Sequence, residues 1–304
     1  AYEILMTYGQ EDASRFDGEQ RALVIPSGPF TGKVNLEDLD LYGFSPEYSH
    51  SFTSFQVTED LSGDSLSEIF LGAPRTETNP DANALPCGDS TRLECEGTLY
   101  TFSGLPSAFG TDYAVENESD LTLTGAVGEY FSWKIATGDF NGDGSVDLIA
   151  STPGYTTSTV NTLEGAVYFF SDFGSDLSSL SGLQLASDLA DGVIYGDDDE
   201  GQLGTTISVI GDINGNGTDD VAINEPAGGL AGAGFLWLVD GADFDGTNEV
   251  SDIAIYAWKP GNLSEGTGSI LNSGHDVDGD GLNDLLIGTA GWNTESNGDV
   301  YGRV

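Results

Sequence analysis

The chain has 304 residues, with 8 Lys and Arg against 51 Asp and Glu, a formal charge of −43. A field of that sign repels phosphates, so it excludes nucleic acid and an anionic membrane surface as partners and favours cations in a salt- or calcium-rich medium. Hydrophobic residues at 38% exclude a disordered chain, and 43 Gly with a single Met point to turn-rich β structure rather than helix.

Taken in chain order, residues 3–7, 21–25 and 39–43 read as three short strands. A second unit opens at 52–58. It continues through an acidic nonapeptide at 60–68 into an apolar strand at 69–74, then a Gly-led strand at 97–102 and a more polar, alternating strand at 120–125. The same series returns at 131–137, 139–147, 148–153, 165–170 and 192–196, and again at 203–210, 212–220, 221–226, 234–239 and 251–257. A last unit holds 268–273, 276–284, 285–290 and 298–301. Self-similarity on this scale marks a repeat architecture of four-stranded β units. Apolar inner strands beside an alternating outer strand fit stacked sheets in which only the outermost strand meets water.

Cys87 and Cys95 stand in a polar insertion between Pro74 and Gly97. In so exposed a setting a disulfide closing a small surface lobe is expected, with two free thiols as the alternative, and the disulfide places the chain in an oxidising, extracytoplasmic compartment. No signal peptide or run of 18 apolar residues is present, so direct membrane insertion is not expected and the sequence reads as a mature or internal piece.

The best-kept nonapeptide is Asp276-Val277-Asp278-Gly279-Asp280-Gly281-Leu282-Asn283-Asp284. Four carboxylates at alternate positions of a Gly-permitted turn can converge on one point, and hard oxygen ligands at that density suit Ca²⁺ far better than Zn²⁺. Without a cation, the same carboxylates repel one another. The bland alternative is an Asp/Asn/Gly-rich hairpin turn with no metal.

These loops, together with Gly72-Ala73-Pro74 and the Gly-x-Val-Tyr strands, make the chain resemble the FG-GAP repeats of integrin α-subunit β-propellers and their bacterial relatives. The Phe-Gly element survives only loosely, as Phe52-Thr53, Phe131-Ser132, Leu203-Gly204 and Thr267-Gly268. The resemblance implies an all-β propeller of four-stranded antiparallel blades. Here these are a partial blade at 1–50, blades at about 51–129, 130–201 and 202–265, and a partial blade at 266–304. The two end pieces overlap in their strands instead of complementing each other, so part of a longer, seven-bladed ring is expected, with an open arc as the alternative. By resemblance the metal ligands are Asp60, Ser62, Asp64, Leu66 and Glu68; Asp139, Asn141, Asp143, Ser145 and Asp147; Asp212, Asn214, Asn216, Thr218 and Asp220; and Asp276, Asp278, Asp280, Leu282 and Asp284. The seventh residue of each loop would offer its carbonyl, and up to four Ca²⁺ ions would be held, one per loop. The fourth loop, richest in carboxylates, is expected to bind most tightly and the third most weakly. In the first, Ser65 replaces a glycine where the turn can require a positive φ.

Two histidines, His50 and His275, give no nucleophile-elbow or zinc pattern, so no enzyme is expected. Of the acidic clusters outside the loops, Asp197-Asp198-Asp199-Glu200 reads as a solvated loop and Asp243-Phe244-Asp245-Gly246 as a further weak cation site or a plain turn. Trp133 and Trp237 are expected in the core, and Trp258 and Trp292 nearer loops as contact residues. The expected role is an extracellular binding or adhesion module for a protein or glycan partner. The alternatives are a calcium-bridged structural subunit that binds copies of itself, or the propeller part of a secreted carbohydrate-active enzyme.

Overall fold

A computed structural model describes residues 2–8, 20–26, 42–45, 52–76, 95–104, 112–157, 163–228, 234–259, 267–275, 277–279 and 283–289. Its sheets are built from β1 (Tyr2–Tyr8), β2 (Gln20–Pro26) and β3 (Tyr42–Ser45); β4 (Ser54–Val57), β5 (Glu68–Ala73), β6 (Thr98–Ser103) and β8 (Leu121–Thr124); β9 (Ile135–Gly138), β10 (Asp147–Thr152), β11 (Ala166–Phe170) and β13 (Gly192–Tyr195); β14 (Ile207–Gly211), β15 (Asp220–Glu225), β16 (Phe235–Val239) and β18 (Ala254–Trp258); and β19 (Thr267–His275) with β20 (Asp284–Thr289). All pairings within these sets are antiparallel. The sheets are propeller blades in a series that does not close among the described residues.

The core lies between successive sheets. Strands β5, β10 and β15 are buried along their whole length, so each feeds both faces of its sheet. In β10, Leu148 and Ala150 pack with Phe70, Leu99 and Leu121 of the preceding sheet. Ile149, pointing the other way, packs with Val221, Ile223 and Trp237 of the following one. This is the period of two of a strand, used to join three sheets. Phe52, Phe131 and Leu203, the first halves of the degenerate Phe-Gly elements, are all buried.

The glycines that open the third strands have a packing reason. At Gly97 (φ +80°) an added Cβ would lie 2.2 Å from the Phe131 nitrogen, and at Gly165 (φ +77°) 2.2 Å from the Leu203 nitrogen. Each backbone therefore lies directly against the Phe-Gly segment of the next unit, where no side chain fits.

In three of the sheets the polar fourth strand is not the outermost one. Strands β7 (Asp112–Ala114), β12 (Gly182–Leu185) and β17 (Gly246–Glu249) leave their own units between the third and fourth strands. They act as straps, pairing in parallel with the outer strand of the preceding unit: β7 on β3, β12 on β8, and β17 on β13. One helical turn then brings the chain home: α1 (Val115–Glu118), α3 (Ala186–Leu189) and α4 (Val250–Ile253), a longer helix α2 (Phe173–Ser179) preceding β12. The first residue of each return turn, Val115, Ala186 or Val250, is fully buried. Residues 251–253, expected as strand, belong to α4, because the chain must turn back before β18 begins.

Candidate metal centre

Each nonapeptide joins the first strand of a unit to its second, and neighbouring loops lie side by side. The Asp139 N–H donates to the Asp219 carboxylate at 2.9 Å, and the Asp219 N–H returns a bond to the Asp139 carbonyl at 2.8 Å.

The loops share one internal wiring. The first carboxylate accepts the N–H groups of positions four, five and six. Asp60 takes Gly63, Asp64 and Ser65; Asp139 takes Gly142, Asp143 and Gly144; Asp212 takes Gly215, Asn216 and Gly217. The turn this requires has positive φ at position four, in Gly63 (83°), Gly142 (74°), Gly215 (77°) and Gly279 (85°). Position six is also left-handed, in Gly144 (84°) and Gly217 (94°), and Ser65 is held there at 73° without the freedom of glycine. Position five accepts from position seven: Asp64 from Leu66, Asp143 from Ser145, and Asn216 from Thr218.

The ninth residue closes the loop from below. Glu68 accepts the Leu61 and Ser62 N–H groups at 2.7 and 3.0 Å, and Asp147 those of Phe140 and Asn141 at 2.9 and 3.2 Å. Asp220 accepts from Ile213 at 2.9 Å, and Asp284 from Val277 at 2.7 Å. Glu68, Asp147 and Asp220 are fully buried. Burial pushes the Asp147 carboxyl up to about 6 against the N–H groups of Asp172, Phe140 and Asn141 that hold it down. Burial likewise raises Asp220. Asp212, at the exposed lip, is held below the usual carboxylate range, first by the Gly217 N–H.

Carboxylate oxygens of Asp60, Asp64 and Glu68 lie within 4.8 Å of one another, a group that could hold a metal ion. The Oγ of Ser62, third in the same loop, is buried without a hydrogen-bond partner. An unpartnered hydroxyl in the same loop as three gathered carboxylates fits a cation site, and a donor set made only of oxygen fits a hard ion such as Ca²⁺. Of the expected ligands in the fourth loop, Asp276, Asp280 and Leu282 lie outside the described residues, as does Cys87; Cys95 is buried.

Sequence reasoning missed Asp240. In the third loop, which has asparagine where its neighbours have aspartate, Asn214 and Asn216 donate their amides to Asp240 at 2.7–2.8 Å. Thr218 Oγ1 adds a bond at 2.9 Å. Against the cost of burial, these bonds and the Ala242 N–H hold the Asp240 carboxyl below its ordinary value. The signal lay in register: Asp172 and Asp240 both follow a third strand closely, and that segment also bonds the ninth residue. The Asp172 N–H donates to Asp147, and the Gly241 N–H to Asp220.

At the other end of β15 a second carboxylate is buried. Trp237, a core residue as expected, donates its indole N–H to Glu225 Oε2 at 2.9 Å, while Oε1 has no partner. Burial pushes this carboxyl up to about 7; the Trp237 bond and the Asp198 N–H oppose the shift, and the charges of Asp198 and Asp197 add to it. The Asp197–Glu200 segment is thus partly an electrostatic neighbour of the core, and the Asp197 carboxylate accepts the Ser251 N–H. The Asp243 and Asp245 carbonyls accept from the Asn248 amide, which folds that segment into the turn before β17.

Residues 131–170, holding β9, the second loop, β10 and β11, match the FG-GAP repeat family. The chain is 24% identical over 251 residues to integrin alpha-5 of Xenopus laevis, covering 81% of this chain and 21% of that protein. It is 28% identical over 270 residues to integrin alpha pat-2 of Caenorhabditis briggsae, covering 85% and 19%. With integrin alpha-PS5 of Drosophila melanogaster it shares 32% over 172 residues, 54% of this chain and 15% of the relative. The chain thus spans about a fifth or less of the length of these relatives. A rhamnogalacturonan lyase of Bacillus licheniformis superposes on 91% of the chain and 49% of its own at 12% identity and a TM-score of 0.41, too loose a likeness to define anything shared.

Proposed function

As a member of the FG-GAP repeat family with integrin α-subunits among its relatives, this chain is, we propose, an extracellular, calcium-stabilised, non-catalytic module that binds a protein or glycan partner. The similarity to integrin α-subunits supports adhesion or ligand binding in general. The observation that carries the calcium part is the first loop, where oxygens of three carboxylates gather within 4.8 Å of one another and the Ser62 hydroxyl of the same loop is buried without a partner.

In this reading Asp60, Ser62, Asp64 and Glu68, with their counterparts in the other loops, hold the ion, and the ion supplies charge neutralisation at the joint between two strands. The protein's own contribution is preorganisation. Backbone N–H groups fix the first and ninth carboxylates before any ion arrives, so little ordering remains to oppose binding. Binding to the folded state alone stabilises it by mass action. Partner recognition then falls to loops that these joints only position. In this reading the insertion carrying Cys87 and Cys95 supplies part of the contact, and pairing of the two as a disulfide would accord with an extracellular location. Residues 77–94 of it lie outside the described residues.

Protein and glycan arrays probed with the full chain, in calcium and again after chelation, test the reading. Calcium-dependent retention of a defined protein or glycan is expected, and retention of nothing, or retention indifferent to chelation, overturns it. Isothermal calorimetry of Asp280→Ala and Asn216→Ala tests the order of affinities: the first removes the tightest site and the second the weakest, and equal losses sink the ranking.

A further inference from the structure

Two departures from the repeat fall in the same unit. Of the four nonapeptides, that at 212–220 has amides at both its third and fifth positions, Asn214 and Asn216. Six residues past the glycine that opens the third strand, the two preceding units have Ser103 and Ser171, and this unit has Asp240. The serines are tied to an aspartate of their own unit. Ser103 donates its N–H and hydroxyl to Asp120 at 2.7 and 2.9 Å, and Ser171 donates both to Asp191 at 2.8 Å. Asp240 is turned to the loop instead. Its oxygens accept the Asn214 and Asn216 amides, the Thr218 hydroxyl and the Ala242 N–H.

An amide, unlike a carboxylate, has a wrong way round for a cation: its oxygen attracts one and its NH₂ repels one. An ionised carboxylate accepts and never donates, so Asp240 takes only the nitrogen ends. The oxygen ends are left to the loop. Asn214 Oδ1 accepts the Asn216 N–H and Asn216 Oδ1 the Thr218 N–H, each at 3.0 Å. In the second loop the same two places are filled by Asn141 Oδ1, accepting from Asp143 at 2.9 Å, and by Asp143 Oδ1, accepting from Ser145 at 2.7 Å. Carboxylates at the expected ligand positions number two in the third loop against three in the first and second, and Asp240 supplies a third from outside. We propose, resting on the calcium reading above, that Asp240 is a positioning residue of the third loop: it holds Asn214 and Asn216 by their nitrogens, with both oxygens facing into the loop. Groups that hold metal ligands from behind change affinity by about tenfold to a hundredfold when lost.

The test is a calcium titration of the full chain followed by hydrogen exchange, read at the amides of 215–218 and, as an internal control, of 142–145. In Asp240→Asn the calcium midpoint for protection at 215–218 should rise about tenfold or more, while that at 142–145 stays in place. In an Asn214→Asp, Asn216→Asp background, where no amide needs holding, the same substitution should leave the midpoint at 215–218 unmoved. An equal rise in both backgrounds means that Asp240 contributes charge alone and overturns the proposal. A midpoint that moves in neither overturns it, as does an equal rise at both loops, which is a general loss of stability. If neither loop of the parent responds to calcium, the calcium reading falls and this role with it. A parent that responds at 142–145 and not at 215–218 overturns the role alone. If Asp240→Asn does not fold, Asp240→Ser, which installs the side chain of the two preceding units, replaces it in the same measurement.

Discussion

Single residues carry two kinds of tension here. Glu225 is a buried carboxyl with one oxygen satisfied and one not. Because burial raises its pKa to about 7, the folded state holds a proton that the unfolded state releases near the ordinary glutamate value. The sign follows: its full contribution is present below the unfolded pKa and is lost as pH rises through about 7. Glu225→Gln keeps the acceptor for Trp237 and removes the titration. In urea denaturation at constant calcium, the variant should be more stable than the parent at pH 8, the gap closing towards pH 5; a gap independent of pH would contradict it. Ser65 is the other case. Held at φ 73°, it should gain about 1 kcal/mol on replacement by glycine, read as a shift in the denaturation midpoint at unchanged slope. Ser65 was legible in sequence, since the neighbouring loops have glycine in its place. Glu225 was not, because nothing in Asn224-Glu225-Pro226 tells a surface turn from a buried one. Only the fold brings Trp237 and the glycines at 196 and 201 around it.

At the level of elements, the apolar strands and the loops between them stood out, because burial on both faces writes a continuous apolar run and the turn demands Asp, Asn and Gly. The straps did not. They are three or four residues long, one face is open, and their hold is through backbone bonds that leave no mark in composition. Thr247 and Asn248 of β17 are an example. As a result the alternating fourth strand was expected to be the outer one, while β8 and β13 are in fact inner strands of five. Gly97 and Gly165, which open two of the third strands, were visible but unexplained until the backbone of the next unit appeared against them. Gly165→Ala should therefore cost at least about 2 kcal/mol, combining a left-handed backbone with a clash that must move another blade. Gly182→Ala, at φ +72° with open space around it, should cost only the backbone part, about 1 kcal/mol. Equal losses in the two variants would mean that blade contact contributes nothing at Gly165.

For the molecule as a whole, the balance of −43 makes compactness depend on what surrounds it. Chelation should lower the melting temperature by at least about 5 °C. Added sodium chloride should recover part of that loss in the chelated protein and do little to the calcium-loaded one, because screening and ion binding relieve the same repulsion. Scanning calorimetry over a salt series distinguishes this from a molecule indifferent to calcium. The straps add a dependence of another kind, one of time. The outer edge of each of three units, at β3, β8 and β13, is completed by residues that come after the third strand of the next, so during synthesis such a unit finishes folding one step behind its own translation. Nascent chains arrested just before Gly182 and just after Leu189, treated with protease, should differ at Leu121–Thr124: cleavable in the first and protected in the second. Assembly along this chain has a direction, and the direction is that of the ribosome.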